Sequence, residues 1–444
     1  MKGIPQKILN FPIKTHTENS DIEHLTMEYI ENKYNNAFKI EDKYSVNVDV
    51  YNLYTHKPHV FDINKDLLKK IFQTYLLDDD NEIIASTLRC ITLVFENSAP
   101  HECPFTNSEI LNIIFEHTTE KYFEKQLILH EAIRLAAVCT KNKQFVDEMD
   151  ENVCIKLFWD ISSKINNDSM ISLSLNAISN IIYYKDIANN TIMELLQGTN
   201  EIIRKIYHNN ENYHHHALFS LLHITKVILE HYNPNYEISE LKIIQFLPNF
   251  LELDSQSIIR ECIRLCDLLY QKGLDIDSDS ILIICKFFID KNSLFREESI
   301  KAISSYFLNF HDCLFALAEF PYDSEENSIF DFLYSSILEI INDGICKLSP
   351  FAISILHSIL ETDISILEND GDQIITCLQS VLPAINSAQI IIYALNIMRN
   401  LYFRNKNLGF LIQQDIIEYL LEGENDDVSQ TALALMTELE SINT

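Results

Sequence analysis

The chain has 444 residues, 47% of them hydrophobic, with only 7 Gly and 10 Pro and a formal net charge of −31. That apolar share supplies a sizeable core. So little Gly leaves few places for tight turns or phosphate-cradling loops, and it favours long helices joined by short polar segments. The negative charge repels phosphate backbones and anionic lipid. It argues against nucleic acid and a membrane surface as main partners and favours a basic protein or extended peptide, unless the acidic faces simply keep an extended protein in solution.

Residues 1–60 hold 7 Lys against 8 Asp or Glu, so the acidic excess lies beyond them, with 27 basic and 57 acidic residues. This stretch is polar and shows no sustained helical period, and it is expected to be a mostly disordered arm with a short helix near Ile22 to Tyr34. Within it Ser45-Val-Asn-Val-Asp-Val-Tyr51 alternates apolar and polar residues as a strand does.

From residue 62 to 444 the pattern becomes helix after helix. A small residue followed by Ile or Leu recurs in the middle of apolar segments: Cys90-Ile91, Ala132-Ile133, Ala177-Ile178, Cys262-Ile263, Ala302-Ile303, Ala352-Ile353, Ala394-Leu395 and Ala434-Leu435, with Leu221-Leu222 in the missing place. Successive pairs lie 40 to 50 residues apart, and the longest interval contains the polar insertion Pro321 to Asn327. A period of about 40–47 residues is that of HEAT and armadillo units, each too small to bury its apolar stripe without a stacked neighbour. Ile171-Ser-Leu-Ser-Leu-Asn-Ala-Ile-Ser-Asn-Ile-Ile182 is apolar almost all round, as a helix sandwiched between neighbours must be.

Several segments resemble the armadillo family in particular. Asn407-Leu-Gly-Phe-Leu-Ile-Gln-Gln-Asp-Ile-Ile-Glu-Tyr-Leu-Leu421, followed by Asp426-Asp-Val-Ser-Gln-Thr-Ala-Leu-Ala-Leu435, is similar to that family's end-of-repeat Asn, apolar pair, turn and two helices. Asp415 stands where the family usually has Gly. Asn142-Lys-Gln-Phe-Val-Asp-Glu-Met149, Leu247-Pro-Asn-Phe-Leu251 and Phe295-Arg-Glu-Glu-Ser-Ile-Lys-Ala-Ile-Ser304 repeat parts of the pattern. The resemblance implies an all-α, right-handed superhelical solenoid of about nine armadillo-like units. It implies a scaffold that binds protein along its concave face. The scattered Cys, read as reduced thiols, point to the cytoplasm or nucleus, and scarce Gly with no nucleotide-binding or nucleophile-elbow motif points to a non-catalytic chain with no cofactor. Candidate partner-binding residues on or beside the anchored helices are Arg89, Asn176, Asn180, Tyr184, Arg264, Tyr393 and Asn396.

The alternative is a nuclear-import adaptor of the importin-alpha type. Such adaptors line the groove with Trp and Asn four residues apart. Here the single Trp, Trp159, lies outside the anchored helices. Counted from each anchor, the Asn place holds Asn180 once and otherwise Leu93, Leu135, Ile224, Leu265, Ser305, Ile355, Ile397 and Thr437.

Other clusters have plainer explanations. Asp275-Ile-Asp-Ser-Asp-Ser280 begins like a calcium loop, but Ser280 and Lys286 hold the places that need Gly and Glu, so it reads as a helix-capping turn. His214-His-His216 cannot converge on one ion, because consecutive helical positions point about 100° apart. His101-Glu-Cys-Pro104 has residue types found in zinc and thiol sites but no second pair to complete one. The ten Cys are scattered among apolar neighbours as reduced thiols, and no metal site is expected. Acidic runs at Asp78 to Asp80, Asp147 to Glu151 and Glu422 to Asp427 fall at expected turns, where Asp suits helix starts.

Overall fold

The computed structural model describes residues 25–56, 64–97, 103–207, 215–232, 241–274, 276, 278–310, 317–322, 327–344, 347–423 and 425–440. They form helices with no strand among them, only an isolated antiparallel bridge between Pro321 and Ser328. Two compact units, Met1–Pro234 and Asn235–Thr444, divide the chain.

In the first unit the helices Ile40–His56, Asn81–Asn97, Gln126–Cys139, Asp168–Tyr184 and His215–His231 stack in sequence, each on the next. Lys65–Leu76, Asn107–His117, Glu151–Lys164 and Asn189–Tyr207 back this row, each packing on the stacked helix that follows it. The second unit repeats the scheme. Gln256–Gln271, Arg296–Asn309, Ser349–Thr362, Ala388–Arg404 and Asp426–Glu440 stack in turn, backed by Ser278–Ile289, Ile329–Asn342, Gly371–Val381 and Gln414–Leu421.

Every small–large anchor of the sequence pattern lies in one of these stacked helices, and all of its residues are buried except Ala434. In the last helix Ala432 takes the buried small-residue place, two positions earlier than the pattern put it. Short first helices complete three-helix units at Lys143–Asp147, Ser365–Glu368 and, as a 3-10 turn, Lys406–Leu411. Asn142 caps the first of these, its side chain accepting from the Gln144 amide at 2.9 Å, and Asn405 does the same for Asn407 at 3.1 Å. The junction Asn of the last unit is therefore Asn405 and not Asn407. Asp415 causes no difficulty, because it lies in the acidic first turn of Gln414–Leu421, where the helix dipole favours it.

Residues 45–51, which alternate as a strand does within the expected disordered arm, are helical instead, inside Ile40–His56. Val46, Val50, Leu53 and Tyr54 fall one or two turns apart and are fully buried, or nearly so, while Val48 is half-exposed. Packing against Asn81–Asn97 overrides the local alternation. Buried Asn47 donates to Ser86 and Thr87 at 2.7 and 2.9 Å, and the Cys90 thiol donates to the Asn47 carbonyl at 3.2 Å. The described part of residues 1–60 thus carries the first stacked layer. Its short helix is Met27–Asn35, capped by Thr26. Residues 1–24 of the expected arm lie outside the described residues.

Trp159, on Glu151–Lys164, lies against Gly198 of Asn189–Tyr207. A Cβ at Gly198 would stand 2.3 Å from the indole. Elsewhere in a helix, Gly to Ala stabilises by about 0.5–1 kcal/mol. At this contact the sign reverses, and Gly198→Ala is expected to cost about 1–3 kcal/mol through overpacking. Urea unfolding of the first unit, followed by Trp159 fluorescence, checks this.

Candidate functional site

Each stacked helix buries most of its circumference and leaves one narrow stripe in contact with solvent. On Gln126–Cys139 the stripe is His130, Arg134 and Val138, continued by Lys141 just past the Thr140 cap. On Asp168–Tyr184 it is Leu173, Asn176, Asn180 and Tyr184, and on His215–His231 it is Phe219, His223 and Lys226. Where these stripes adjoin, the surface dips into a depression of about 330 Å³ lined by Glu96, Arg134, Lys141, Asn176, Asn180 and His223. A second depression of about 620 Å³ shares Glu96, Val138 and Lys141 with it and adds Phe95, Cys103 and Phe105. Burial pushes the Cys103 thiol up, so it stays protonated and behaves as part of the wall.

The polar groups here are largely unspent. Asn180 Nδ2 donates to Thr140 Oγ1 at 3.2 Å, and its amide oxygen accepts no hydrogen bond among the described residues. Asn176 makes no side-chain hydrogen bond among them, and Arg134, Lys141 and Glu96 make no ion pair. The Tyr184 hydroxyl donates to the Lys141 carbonyl at 3.2 Å and ties the two helix ends together. His223 stacks on Phe219, with ring centroids 6.2 Å apart. The group offers amide donors, amide acceptors and two guanidinium or ammonium charges, with no nucleophile and base aligned on one another.

The remaining candidates serve internal contacts or stand apart. Arg89 is committed to Glu131 on the next stacked helix: its Nε donates to Oε1 at 3.2 Å and its Nη2 donates to the same oxygen. The Glu131 side chain is 1% exposed. Burial alone would raise its pKa, but His130 and Arg89 beside it hold the carboxyl at about 2. Of the two, Arg89 is the closer partner, since His130 Nδ1 stands 3.5 Å away. In the second unit Arg264 is 51% exposed and lies 3.6 Å from Glu261 and 3.8 Å from Glu298. It borders a depression of about 170 Å³ with Asp267, which accepts from Ser305 and Gln271, and with Glu297, which pairs with Lys301 and Lys347. Tyr393 stacks on His357 with centroids 4.1 Å apart, and burial pulls the His357 pKa down despite nearby Glu361. Asn396 is half-exposed, one turn before Asn400, which donates to its carbonyl at 2.9 Å.

Sequence reasoning missed Arg134, Val138, Lys141 and His223. Counting two places past each anchor reaches Leu135 and Ile224, both fully buried. The solvent stripe on those helices comes one residue earlier, directly after Ile133 and Leu222. Of the clusters given plainer explanations, Asp150 caps Glu151–Lys164 and Asp80 caps Asn81–Asn97 through backbone amides. His215 and His216 begin a helix, while His208 and His214 lie outside the described residues, as do Asp275, Asp277, His101 and Glu102.

The sequence matches no protein-family model and no curated protein. Solved structures match it by shape. A chain from a structure describing a phosphorylation switch that controls the interaction between cadherin and beta-catenin superposes with a TM-score of 0.60 and 10% identity, covering 93% of this chain and 85% of that one. An engineered protein from the Northeast Structural Genomics Consortium gives 0.59 and 12%, covering 93% and 98%. A chain of the SYS-1/POP-1 complex gives 0.53 and 11%, covering 94% and 83%.

Proposed function

We infer, from the premise that this chain has the armadillo-type helical-repeat fold, that it is a non-catalytic scaffold which docks an extended polypeptide across its stacked helices. The observation that carries this reading is the depression at Glu96, Arg134, Asn176 and Asn180, to which three successive stacked helices contribute polar side chains. An extended segment brings unpaired backbone N–H and C=O groups, and an Asn amide offers both a donor and an acceptor to meet them. The superposed structures support the reading, since one describes beta-catenin's interaction with cadherin and another a complex of SYS-1 with POP-1. A nuclear-import adaptor would repeat the Asn on neighbouring helices. Here the flanking stripes carry Arg134 and His223, so the general docking role is favoured over that specialised one.

The described cysteines are free and mostly buried, which suits a reducing compartment, the cytoplasm or the nucleus. No helix among the described residues is long and apolar enough to cross a membrane.

Photo-crosslinking tests the role. A benzophenone side chain at Leu173, in the depression, and one at Val153, on the backing helix Glu151–Lys164, are compared for covalent adducts in cell extract. Adducts at 173 that fall about 10-fold on Asn176→Ala with Asn180→Ala, at unchanged melting temperature, are expected for a loss of roughly 1.4 kcal/mol. Equal yield from both positions, unaffected by the Asn changes, contradicts the role.

A further inference from the structure

The chain-wide charge and the charge at the depression have opposite signs. Over 444 residues the formal charge is −31. In the depression Arg134 and Lys141 face the single carboxylate of Glu96, and none of the three is paired among the described residues. Several other cations on the stacked helices are spent on neighbouring carboxylates, Arg89 on Glu131, Arg260 on Glu298 at 2.8 Å and Arg399 on Glu438 at 2.9 Å, while Arg296 lies over the Phe288 ring. A protein with 65 acidic side chains against 34 basic ones has carboxylates to spare. Arg134 and Lys141 are nonetheless left without an ion pair among the described residues, beside the amides of Asn176 and Asn180.

We propose that the occupant of this depression is an acidic polypeptide segment, whose anionic group is held between Arg134 and Lys141 while Asn176 and Asn180 take its backbone. The proposal rests on the docking role above and reverses the sign of partner that net charge alone suggests. Guanidinium and ammonium donors make charge-assisted hydrogen bonds to carboxylate or phosphate oxygens, about twice as strong as neutral ones. The chain's net negative charge disfavours such a segment over most of the surface, so the same charge that keeps the chain soluble favours binding at the depression. Glu96 opposes the occupant and sets a limit on affinity.

The test uses the full chain and three fluorescein-labelled decapeptides, alternating Ala with Glu, with phosphoserine or with Lys, followed by anisotropy at low salt. The acidic peptides are expected to bind in preference to the Lys peptide. Arg134→Glu with Lys141→Glu should weaken them by about 10-fold or more, and Lys156→Glu on Glu151–Lys164 should leave them unchanged. Glu96→Gln should tighten binding, a gain that a purely structural role for these residues would not produce. Higher affinity for the phosphoserine peptide assigns a phosphorylated segment, and equal affinity assigns carboxylates. Preference for the Lys peptide, weakened by Asn176→Ala with Asn180→Ala, overturns the acidic assignment and leaves the docking role standing. If no peptide responds to either pair of changes, docking at this site and the acidic assignment fall together.

Discussion

Replacing Glu131 with Ala is expected to cost the first unit about 3–5 kcal/mol, the usual penalty for breaking a buried ion pair from one side. The carboxylate bridges two stacked helices: it sits on Gln126–Cys139 and accepts from both Nε and Nη2 of Arg89 on Asn81–Asn97. Removing it leaves the guanidinium charge, 11% exposed, without the carboxylate that offsets it. Replacing both residues by apolar side chains of similar volume should cost far less, because neither charge is then stranded. The comparable pair in the second unit, Arg399 with Glu438, is 42% and 24% exposed, and breaking it should cost about 1 kcal/mol or less. Chemical denaturation of the single and double variants separates these outcomes.

The same carboxylate gives the protein an acid limb. Its folded-state pKa, about 2, lies below the ordinary Glu value of 4.5. A depressed carboxylate stabilises the fold fully above its unfolded value and loses that contribution as pH falls toward the folded one. Stability should therefore decline between pH 4.5 and about 2, and Glu131→Gln should flatten that part of the curve.

The second large effect is expected at Ile178. It is fully buried in Asp168–Tyr184, the helix between Gln126–Cys139 and His215–His231. Ile178→Ala removes three heavy atoms from a layer held on both sides, and about 2–5 kcal/mol should be lost to transfer and cavity terms. The same truncation at half-exposed Leu173 should cost far less.

The array was legible because its cause is written locally. Small residues beside Ile or Leu at each helix centre are what close stacking requires, and all but one of those anchors proved buried. The first layer was not legible, because Val46, Val48 and Val50 alternate as in a strand, and only contact with Asn81–Asn97 decides between strand and helix. The solvent-facing stripe was half legible. Asn176 and Asn180 lie on it, but Arg134 and His223 do not follow the count from the anchor that locates Asn180. Which side of each helix meets solvent is set by its rotation between neighbours, and that rotation shifts by one residue from Asp168–Tyr184 to the helices beside it.

The most direct measurement of the stacked-layer account is hydrogen exchange on Ile178→Ala, read helix by helix by mass spectrometry. In a stacked array each layer is coupled to its nearest neighbours. Exchange should accelerate most in 168–184, next in 126–139 and 215–231, and little in the second unit. Uniform acceleration through both units, or a change confined to 168–184 with its neighbours untouched, would contradict it.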